Sequence, residues 1–204
     1  MKKFFVLAAA AAFALLACEQ ATPQVDGSGT GNENGGNNNQ PSQFETVIFN
    51  ELCGNKVYDG NKFIELFNPT SAEQNIAGWT IRKYAADATD VEGKYNVCWT
   101  APAGTKLAAG AYLVLAADQT DPTLGFNAGL SAKKGLKFEL VDASGKVVDL
   151  FLRGTDADPF AEESLAENKE ASFSRVPNGG AEWAYADPTP GAANGEATGT
   201  IEME

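Results

Sequence analysis

Short apolar runs separated by turn residues constrain the fold of this chain more than any other feature of the sequence. From residue 44 onward, runs of about five to eight residues alternate with segments such as YDGN, NPTSAEQN and DASG, the pattern of antiparallel strands joined by turns. No long window shows the apolar stripe of a helix, although 161–169 has room for a helical turn. Strands this short predict an all-β fold with two sheets packed as a sandwich. The predicted strands are 45–53, 62–68, 78–84, 95–100, 111–117, 136–142, 146–152 and 171–176.

The first 18 residues have the order of parts found in an export signal. Lys2-Lys3 precedes an apolar stretch, Phe4 to Leu16, whose 13 residues are too few to span a bilayer as a permanent helix. The stretch runs into Leu-Leu-Ala17-Cys18, which resembles the processing motif of bacterial lipoproteins. The resemblance implies cleavage after Ala17 and a lipid on Cys18. An ordinary secretory signal with an incidental cysteine is the alternative.

A polar segment separates this export signal from the predicted strands. Between Cys18 and residue 43, Gly, Asn, Gln, Ser and Pro dominate, so the segment cannot form a core and is expected to be a flexible tether. The predicted organisation is a signal peptide (1–17), a lipidated cysteine with the tether (18–43), a β-sandwich (44–195) and a C-terminal tail (196–204).

The lipid on Cys18 sets the expected location. Two or three acyl chains hold a protein firmly on a membrane, whereas one chain binds only marginally. Glu19, directly after Cys18, resembles the acidic export signals of Bacteroidota lipoproteins. We therefore expect a protein of the cell envelope, anchored by lipid in the outer membrane. Display on the cell surface and an orientation towards the periplasm both remain open.

Charge and composition exclude several classes of function. The formal net charge is -12 and the sequence contains no basic cluster, so nucleic acid is not an expected partner. The chain has no histidine, which removes the Ser-His and Cys-His catalytic pairs and the commonest metal ligand. No enzyme activity and no catalytic residue are predicted.

Five segments resemble the lamin tail domain family, in the order in which that family has them. Two of them are consecutive strands, FIELFN and IAGWTI, and a third is the stretch PAGTKLAAGAYLVL. The resemblance implies an immunoglobulin-like β-sandwich with an interaction or accessory role. Cys53 and Cys98 are not general features of the family. The segments are 63–68, 76–81, 102–115, 140–149, and 174–175 followed by Trp183 and TPGAAN at 189–194.

A carboxylate, Glu65, lies inside the first of these strands. Because side chains alternate along a strand, Glu65 shares a face with Phe63 and Phe67, while Ile64 and Leu66 face the other way. One face of this strand is therefore predicted to be core, and the other to be partly covered.

Three interpretations of Glu65 and Glu51 follow from their place on neighbouring strands. The favoured one is structural, with the charge of Glu65 satisfied at a rim or by Arg82 or Arg175. The second is an acid/base pair. The third is a cation or binding site formed by Asn50, Glu51, Glu65 and Asn68.

Two acidic loops offer oxygen ligands to calcium, the only cofactor for which the sequence leaves room. Neither has the spacing of an EF-hand, and acids that are simply solvated are the alternative. The loops carry Asp87, Asp90 and Glu92, and Asp156, Asp158, Glu162 and Glu163.

Two cysteines and three aromatic residues complete the candidates. An exported protein meets oxidising conditions, so a disulfide between Cys53 and Cys98 is predicted, with two separate buried thiols as the alternative.

Tyr95, Trp99 and Tyr112 could form a platform on which sugars stack, but core packing is the favoured interpretation.

The function predicted from these features is a cell-envelope lipoprotein that presents a non-enzymatic, lamin-tail-like binding or scaffolding module to an unidentified partner. The first alternative is a glycan-binding surface lipoprotein of a polysaccharide-capture system. A small hydrolase is the second alternative, and the absence of histidine counts against it.

Overall fold

The chain forms β-strands throughout the part that the structure describes. The computed structural model describes residues 43–84, 94–117, 123–132, 134–154, 170–201 and 203. All of them belong to one compact unit, Asn37–Glu204. These ranges contain strands and turns without a helix, so none of them holds a helix able to span a membrane. The predicted signal peptide, Cys18, most of the tether and the predicted helical turn at 161–169 lie outside the described residues.

Thirteen strands make up the described part of the chain. They are β1 (Ile48–Tyr58), β2 (Asn61–Phe67), β3 (Gln74–Asn75), β4 (Thr80–Tyr84), β5 (Tyr95–Thr100), β6 (Lys106–Leu107), β7 (Tyr112–Ala117), β8 (Gly125–Phe126), β9 (Leu136–Val141), β10 (Val147–Arg153), β11 (Ser172–Arg175), β12 (Trp183–Ala186) and β13 (Gly199–Thr200). Every strand predicted from the sequence is present. The five that were not predicted, β3, β6, β8, β12 and β13, have only two to four residues each.

Two large sheets form the sandwich. One has seven strands in the order β13-β12-β11-β1-β2-β7-β8, the other has four in the order β10-β9-β4-β5, and β3 and β6 form a small ribbon. Neighbouring strands are antiparallel, except that β8 runs parallel to β7. The predicted all-β, immunoglobulin-like sandwich is therefore confirmed.

Alternation decides which side chains fill the core between the sheets. In β2, Ile64 and Leu66 belong to the core, whereas Phe63, Glu65 and Phe67 lie on the outer face, as predicted. Outer here means the face of the seven-stranded sheet that is turned away from the four-stranded sheet. Core side chains from the two sheets include Phe49, Leu52, Phe173, Tyr185, Ile81, Trp99, Phe138 and Phe151.

The turn between β1 and β2 has the conformation that its sequence predicts. Asp59 has a φ of 47° and Gly60 a φ of 78°, so both central residues are in the left-handed region. A two-residue turn of this kind matches the twist of the two strands that it joins. The YDGN segment therefore closes a tight hairpin between Tyr58 and Asn61.

The predicted disulfide between Cys53 and Cys98 is wrong, since both thiols are free and buried. Cys53 pairs with Phe63 on the outer face of the seven-stranded sheet, whereas Cys98 lies in the core between the sheets. The backbone of the sheet thus separates them. Burial raises the pKa of Cys53 to about 11 and that of Cys98 to about 12, so both thiols stay protonated at neutral pH.

The domain continues beyond residue 195, where the sequence interpretation placed its end. Gly199 and Thr200 form β13, which pairs with β12 at the edge of the seven-stranded sheet. Ile201 and Met203 then pack against the core. The predicted C-terminal tail therefore contributes a strand and apolar contacts to the sandwich.

A buried ion pair joins the two sheets. The Arg175 guanidinium of β11 lies 2.8 Å from Oδ1 and 3.0 Å from Oδ2 of Asp149 in β10. The backbone N–H of Phe49 donates to the same carboxylate at 2.8 Å. Burial raises the pKa of Asp149, and the charge of Arg175 offsets part of that effect. The contact of Arg175 Nη2 with both carboxylate oxygens fixes the position of β10 against β11.

Candidate functional site

Glu51 and Glu65 form a carboxylate pair on the outer face of the seven-stranded sheet. The two residues lie directly opposite each other on β1 and β2. Both are 0% exposed, so the pair is fully enclosed by protein. Like charges at opposed positions of two strands repel each other, and burial strengthens that repulsion.

A β-bulge in β1 brings the two glutamates into register. Phe49 pairs with Leu66, and the next pair is Glu51 with Glu65, which leaves Asn50 as an extra residue in β1. Because one extra residue reverses the alternation, Phe49 faces the core while Glu51 faces outward beside Glu65. The Nδ2 of Asn50 donates to Oε1 of Glu65 at 2.8 Å.

Residues 187–194, which we name the closing segment, supply most of the other hydrogen bonds to the pair. The backbone N–H of Gly191 donates to Oε2 of Glu65 at 2.7 Å. The backbone N–H of Thr189 donates to Oε1 of Glu51 at 3.1 Å, and the Ser172 hydroxyl donates to the same oxygen at 2.5 Å. The closing segment therefore covers the carboxylates and satisfies them with neutral donors.

Three asparagines fasten the closing segment to the sheet. The Nδ2 of Asn194 donates to the carbonyl oxygens of Asn50 and Arg175, at 2.9 Å and 3.0 Å. The backbone N–H of Asn194 donates to Oδ1 of Asn178 at 2.9 Å. The Nδ2 of Asn178 in turn donates to the Tyr112 hydroxyl at 3.0 Å. The amide groups thus form a continuous network from the closing segment to the β1 bulge.

Burial dominates the electrostatics of the pair. It raises the pKa of Glu65 to about 8, against the lowering effect of the hydrogen bonds from Asn50 and Gly191, and the charge of Glu51 raises it further. Burial also raises the pKa of Glu51, which the hydrogen bonds from Ser172 and Thr189 offset in part. The pair therefore retains a proton at neutral pH.

The predicted pairing of Glu65 with Arg82 or Arg175 is wrong. Arg175 is committed to Asp149, and the Arg82 guanidinium lies 4.4 Å from the centroid of the Tyr95 ring, in the other sheet. Among the described residues, the carboxylates of Glu65 and Glu51 have only neutral hydrogen-bond donors. Burial raises the pKa of both glutamates, and no neighbouring cation among the described residues offsets it.

Asn68, the fourth residue of the predicted cation site, serves a separate part of the structure. Its Nδ2 donates to the carbonyl oxygens of Ala72 and Leu107, at 2.8 Å and 2.9 Å. Its Oδ1 accepts the Thr70 N–H at 3.0 Å. Asn68 therefore organises the turn that follows β2, and the four predicted residues do not form one cation site.

The arrangement of Glu51 and Glu65 gives no route to acid/base chemistry. Each carboxylate oxygen accepts a hydrogen bond from the protein, and neither side chain reaches solvent. A general acid or base must reach the atom to which it passes a proton. The geometry thus supports the structural interpretation of both glutamates.

The calcium prediction remains untested. Both predicted acidic loops, the one with Asp87, Asp90 and Glu92 and the one within 155–169, lie outside the described residues. Within the described ranges, no group of three or more Cys, Asp or Glu side chains is placed to hold a metal ion.

The aromatic residues do not form the coplanar platform that sugar stacking would need. Trp99 is buried and donates its Nε1–H to the Thr123 carbonyl at 3.2 Å. Tyr112 stacks on Phe67 with 4.7 Å between ring centroids. Tyr95 alone lies on an open sheet surface, and the Arg82 guanidinium covers its ring. The prediction of core packing is therefore confirmed for Trp99 but wrong for Tyr95.

The outer face of the four-stranded sheet is a candidate surface that the sequence interpretation missed. Register and alternation place eight part-exposed side chains there in two rows that run across β5, β4, β9 and β10. We refer to these residues as the open face. The first row is Val97, Arg82, Glu139 and Leu150, and the second is Tyr95, Tyr84, Lys137 and Leu152.

Polar contacts hold the middle of the open face together. The Lys137 ammonium lies 4.4 Å from the centroid of the Tyr84 ring, which parallels the contact of Arg82 with Tyr95. The Tyr84 hydroxyl donates to Oε1 of Glu139 at 3.1 Å. Alternation within IRKY and LKFELV is the sequence signal from which this surface could have been found.

Comparison with known proteins agrees with this architecture. No curated protein matches the chain. The family model described as Lamin Tail Domain matches residues 40–155, which is more than half of the chain. The matched range contains β1 to β10. Beyond it, β11 to β13 complete the seven-stranded sheet. The chain therefore belongs to the lamin tail domain family.

Proposed function

We propose that the chain is a lipid-anchored protein of the bacterial cell envelope that presents its lamin tail domain as a non-enzymatic binding module. The N-terminal sequence supports the anchor: Lys2-Lys3, the apolar stretch Phe4 to Leu16, and Cys18 directly after Ala17. The polar segment 19–43 supports a tether that holds the domain away from the lipid surface.

The burial of Glu51 and Glu65 is the observation that carries the non-enzymatic part of the proposal. These are the residues that the sequence offers as an acid/base pair, and both are fully enclosed and hydrogen-bonded within the domain. Lamin tail domains are an immunoglobulin-like, non-catalytic family, which agrees with this geometry. Binding through an exposed surface is then the function that such a domain can perform.

Metabolic labelling tests the anchor. Cells that express the full chain are grown with radiolabelled palmitate, and a matched culture expresses the Cys18→Ala variant. The proposal expects label on the unaltered chain and none on the variant, together with loss of the variant from the membrane fraction. Release of an unlabelled, soluble chain from both cultures would show that residues 1–17 act as an ordinary secretory signal.

Protease treatment of intact cells tests the orientation. We propose the outer membrane as the anchoring membrane, and Glu19 after Cys18 favours display on the cell surface. Degradation of the domain on intact cells, with a periplasmic marker protein left whole, is the expected result. Protection of the domain until the outer membrane is opened would place it in the periplasm.

A further inference from the structure

The two outer faces of the sandwich differ in what covers them. On the seven-stranded sheet, the closing segment lies over Glu51 and Glu65. On the four-stranded sheet, the open face exposes large apolar side chains, with Val97 52% and Leu150 40% exposed. Two exposed apolar side chains on one sheet face, with polar groups between them, offer separate contact points for apolar side chains of a partner.

Arg82 occupies the middle of the open face, where none of the described residues is its hydrogen-bonding partner. Within the described residues, no hydrogen bond or ion pair reaches its guanidinium, and its Nε is buried with no partner. The Tyr95 ring holds the group in place through its π face. A guanidinium that is fixed in position presents a planar fork of N–H donors, which fits a carboxylate.

The charge of the open face is opposite to that of the rest of the chain. Arg82 and Lys137 supply two positive charges against the single carboxylate of Glu139, while the whole chain carries -12. An acidic partner would be repelled by most of this protein and attracted at this surface. Charge complementarity therefore favours a partner whose contacting group is a carboxylate.

The spacing of the apolar residues selects the kind of partner. Val97 and Leu150 lie on the outermost strands of the sheet, three strand spacings apart, which is about 14 Å. An extended peptide rises about 3.3 Å per residue, so residues i and i+4 lie about 13 Å apart on one side of it. A peptide with apolar residues at i and i+4 and an acid at i+2 matches Val97, Arg82 and Leu150.

We propose that the open face docks an extended acidic peptide segment of a partner protein, with a carboxylate on Arg82 and apolar side chains on Val97 and Leu150. A glycan fits less well, because the rings of Tyr95 and Tyr84 each have a cation over one face and are tilted at 51° to each other. The inference deepens the proposed binding function and rests on it.

Solution NMR on the full chain tests this surface. The chain is 15N-labelled and carries Cys18→Ala, so that it is not lipidated, and the probe is the blocked peptide Leu-Ser-Glu-Ser-Leu. On addition of the peptide, we expect chemical-shift changes in the amide signals of β4, β5, β9 and β10. The peptide with Gln in place of Glu should bind about tenfold more weakly, because it lacks the charged hydrogen bond to Arg82.

Variants give an independent readout. Arg82→Gln should remove the difference between the Glu and Gln peptides, whereas Lys106→Gln, which removes a cation paired with Glu73, should leave it unchanged. If Arg82→Gln does not fold, the comparison of the Glu and Gln peptides on the unaltered chain still tests whether the surface binds a carboxylate. Equal binding of both peptides, no binding of either, or shifts confined to other strands would overturn the proposal.

A third probe, polygalacturonate, separates a glycan from a peptide. Binding of this acidic polysaccharide to the open face, with no binding of the Glu peptide, would replace the peptide proposal by a glycan one. Failure of the anchor is seen separately, as absence of palmitate on Cys18. A chain that binds the peptide but carries no lipid would refute the anchor alone.

Discussion

Raising the pH should destabilise the domain through the buried pair of Glu51 and Glu65. In the folded state the pKa of Glu65 is raised from 4.5 to about 8, so between these values the folded chain holds a proton that the unfolded chain has released. Stability from this group is therefore complete below about pH 4.5 and is lost as the pH rises through 8. The slope is about 1.4 kcal/mol per pH unit, and the full range corresponds to about 5 kcal/mol.

Glu65→Gln isolates this contribution. Glutamine is neutral at every pH and close in shape to the protonated side chain, but its Nε2 cannot accept one of the hydrogen bonds that Asn50 and Gly191 donate, so at pH 5 the variant should be less stable by about 1–3 kcal/mol. Between pH 5 and pH 9 the variant should gain about 4 kcal/mol relative to the unaltered chain. Urea unfolding followed by the fluorescence of the buried Trp79 and Trp99 gives the free energy of unfolding at each pH.

The difference between the two chains cancels the groups that titrate independently of Glu65. Because Glu51 lies opposite Glu65, the two titrate as a pair, and Glu51→Gln should also reduce the slope. A difference that stays constant from pH 5 to pH 9 would refute the reasoning, as would a variant that becomes relatively less stable at high pH. Either result would mean that neutral donors alone keep both carboxylates ionised.

Three further predictions concern buried groups. Asp149→Asn leaves the Arg175 guanidinium buried without its counter-charge, so urea unfolding should show a loss of about 3–5 kcal/mol; a loss below 1 kcal/mol would contradict this. Asn194→Ala removes two hydrogen bonds to backbone carbonyls and should cost about 2 kcal/mol or more in a thermal melt, whereas an unchanged melting temperature would show that the closing segment is held by other contacts. In the Cys18→Ala chain, Cys53 and Cys98 should both react with a thiol reagent in denaturant without prior reduction, and a chain with no reactive thiol would show that they form a disulfide.

Local features of the sequence were sufficient to predict most of the fold. The hairpin at Asp59-Gly60 and the two faces of β2 follow from turn chemistry and from alternation over a few residues. The strand β12 was missed because it has four residues, although Trp183 and Tyr185 alternate with alanine as in a half-buried strand. Two-residue strands such as β13 are too short to show alternation in the sequence. They are recognised only by their hydrogen bonds to a neighbouring strand.

The environment of Glu65 was only half predictable. Alternation placed the side chain on one face with Phe63 and Phe67, but its hydrogen-bond partner Gly191 is 126 residues away in the chain. The donors from the closing segment are backbone N–H groups. Nearly every residue type has such a group, so the sequence does not show which of them will bond to a carboxylate. The bulge at Asn50 adds to the difficulty, because one unpaired residue reverses which of Glu51 and Leu52 faces the core.

The disulfide prediction failed for a related reason. It relied on the oxidising environment of an exported protein, which permits a disulfide but says nothing about where two side chains point. Cys53 follows the bulge and lies on the outer face with Phe63, whereas Cys98 points into the core. Without the register of β1 against β2, the sequence does not reveal this difference.

The residues that identify the family are largely used to hold the domain together. Glu65 in FIELFN, Arg175, and Thr189 and Asn194 in TPGAAN all make buried hydrogen bonds within the protein. Side chains that are saturated in this way can specify a fold but have no donor or acceptor left for a ligand. In the proposed binding function, selectivity would come from surfaces outside the network, such as the open face around Arg82. A family signature of this kind therefore defines the scaffold and does not identify a partner.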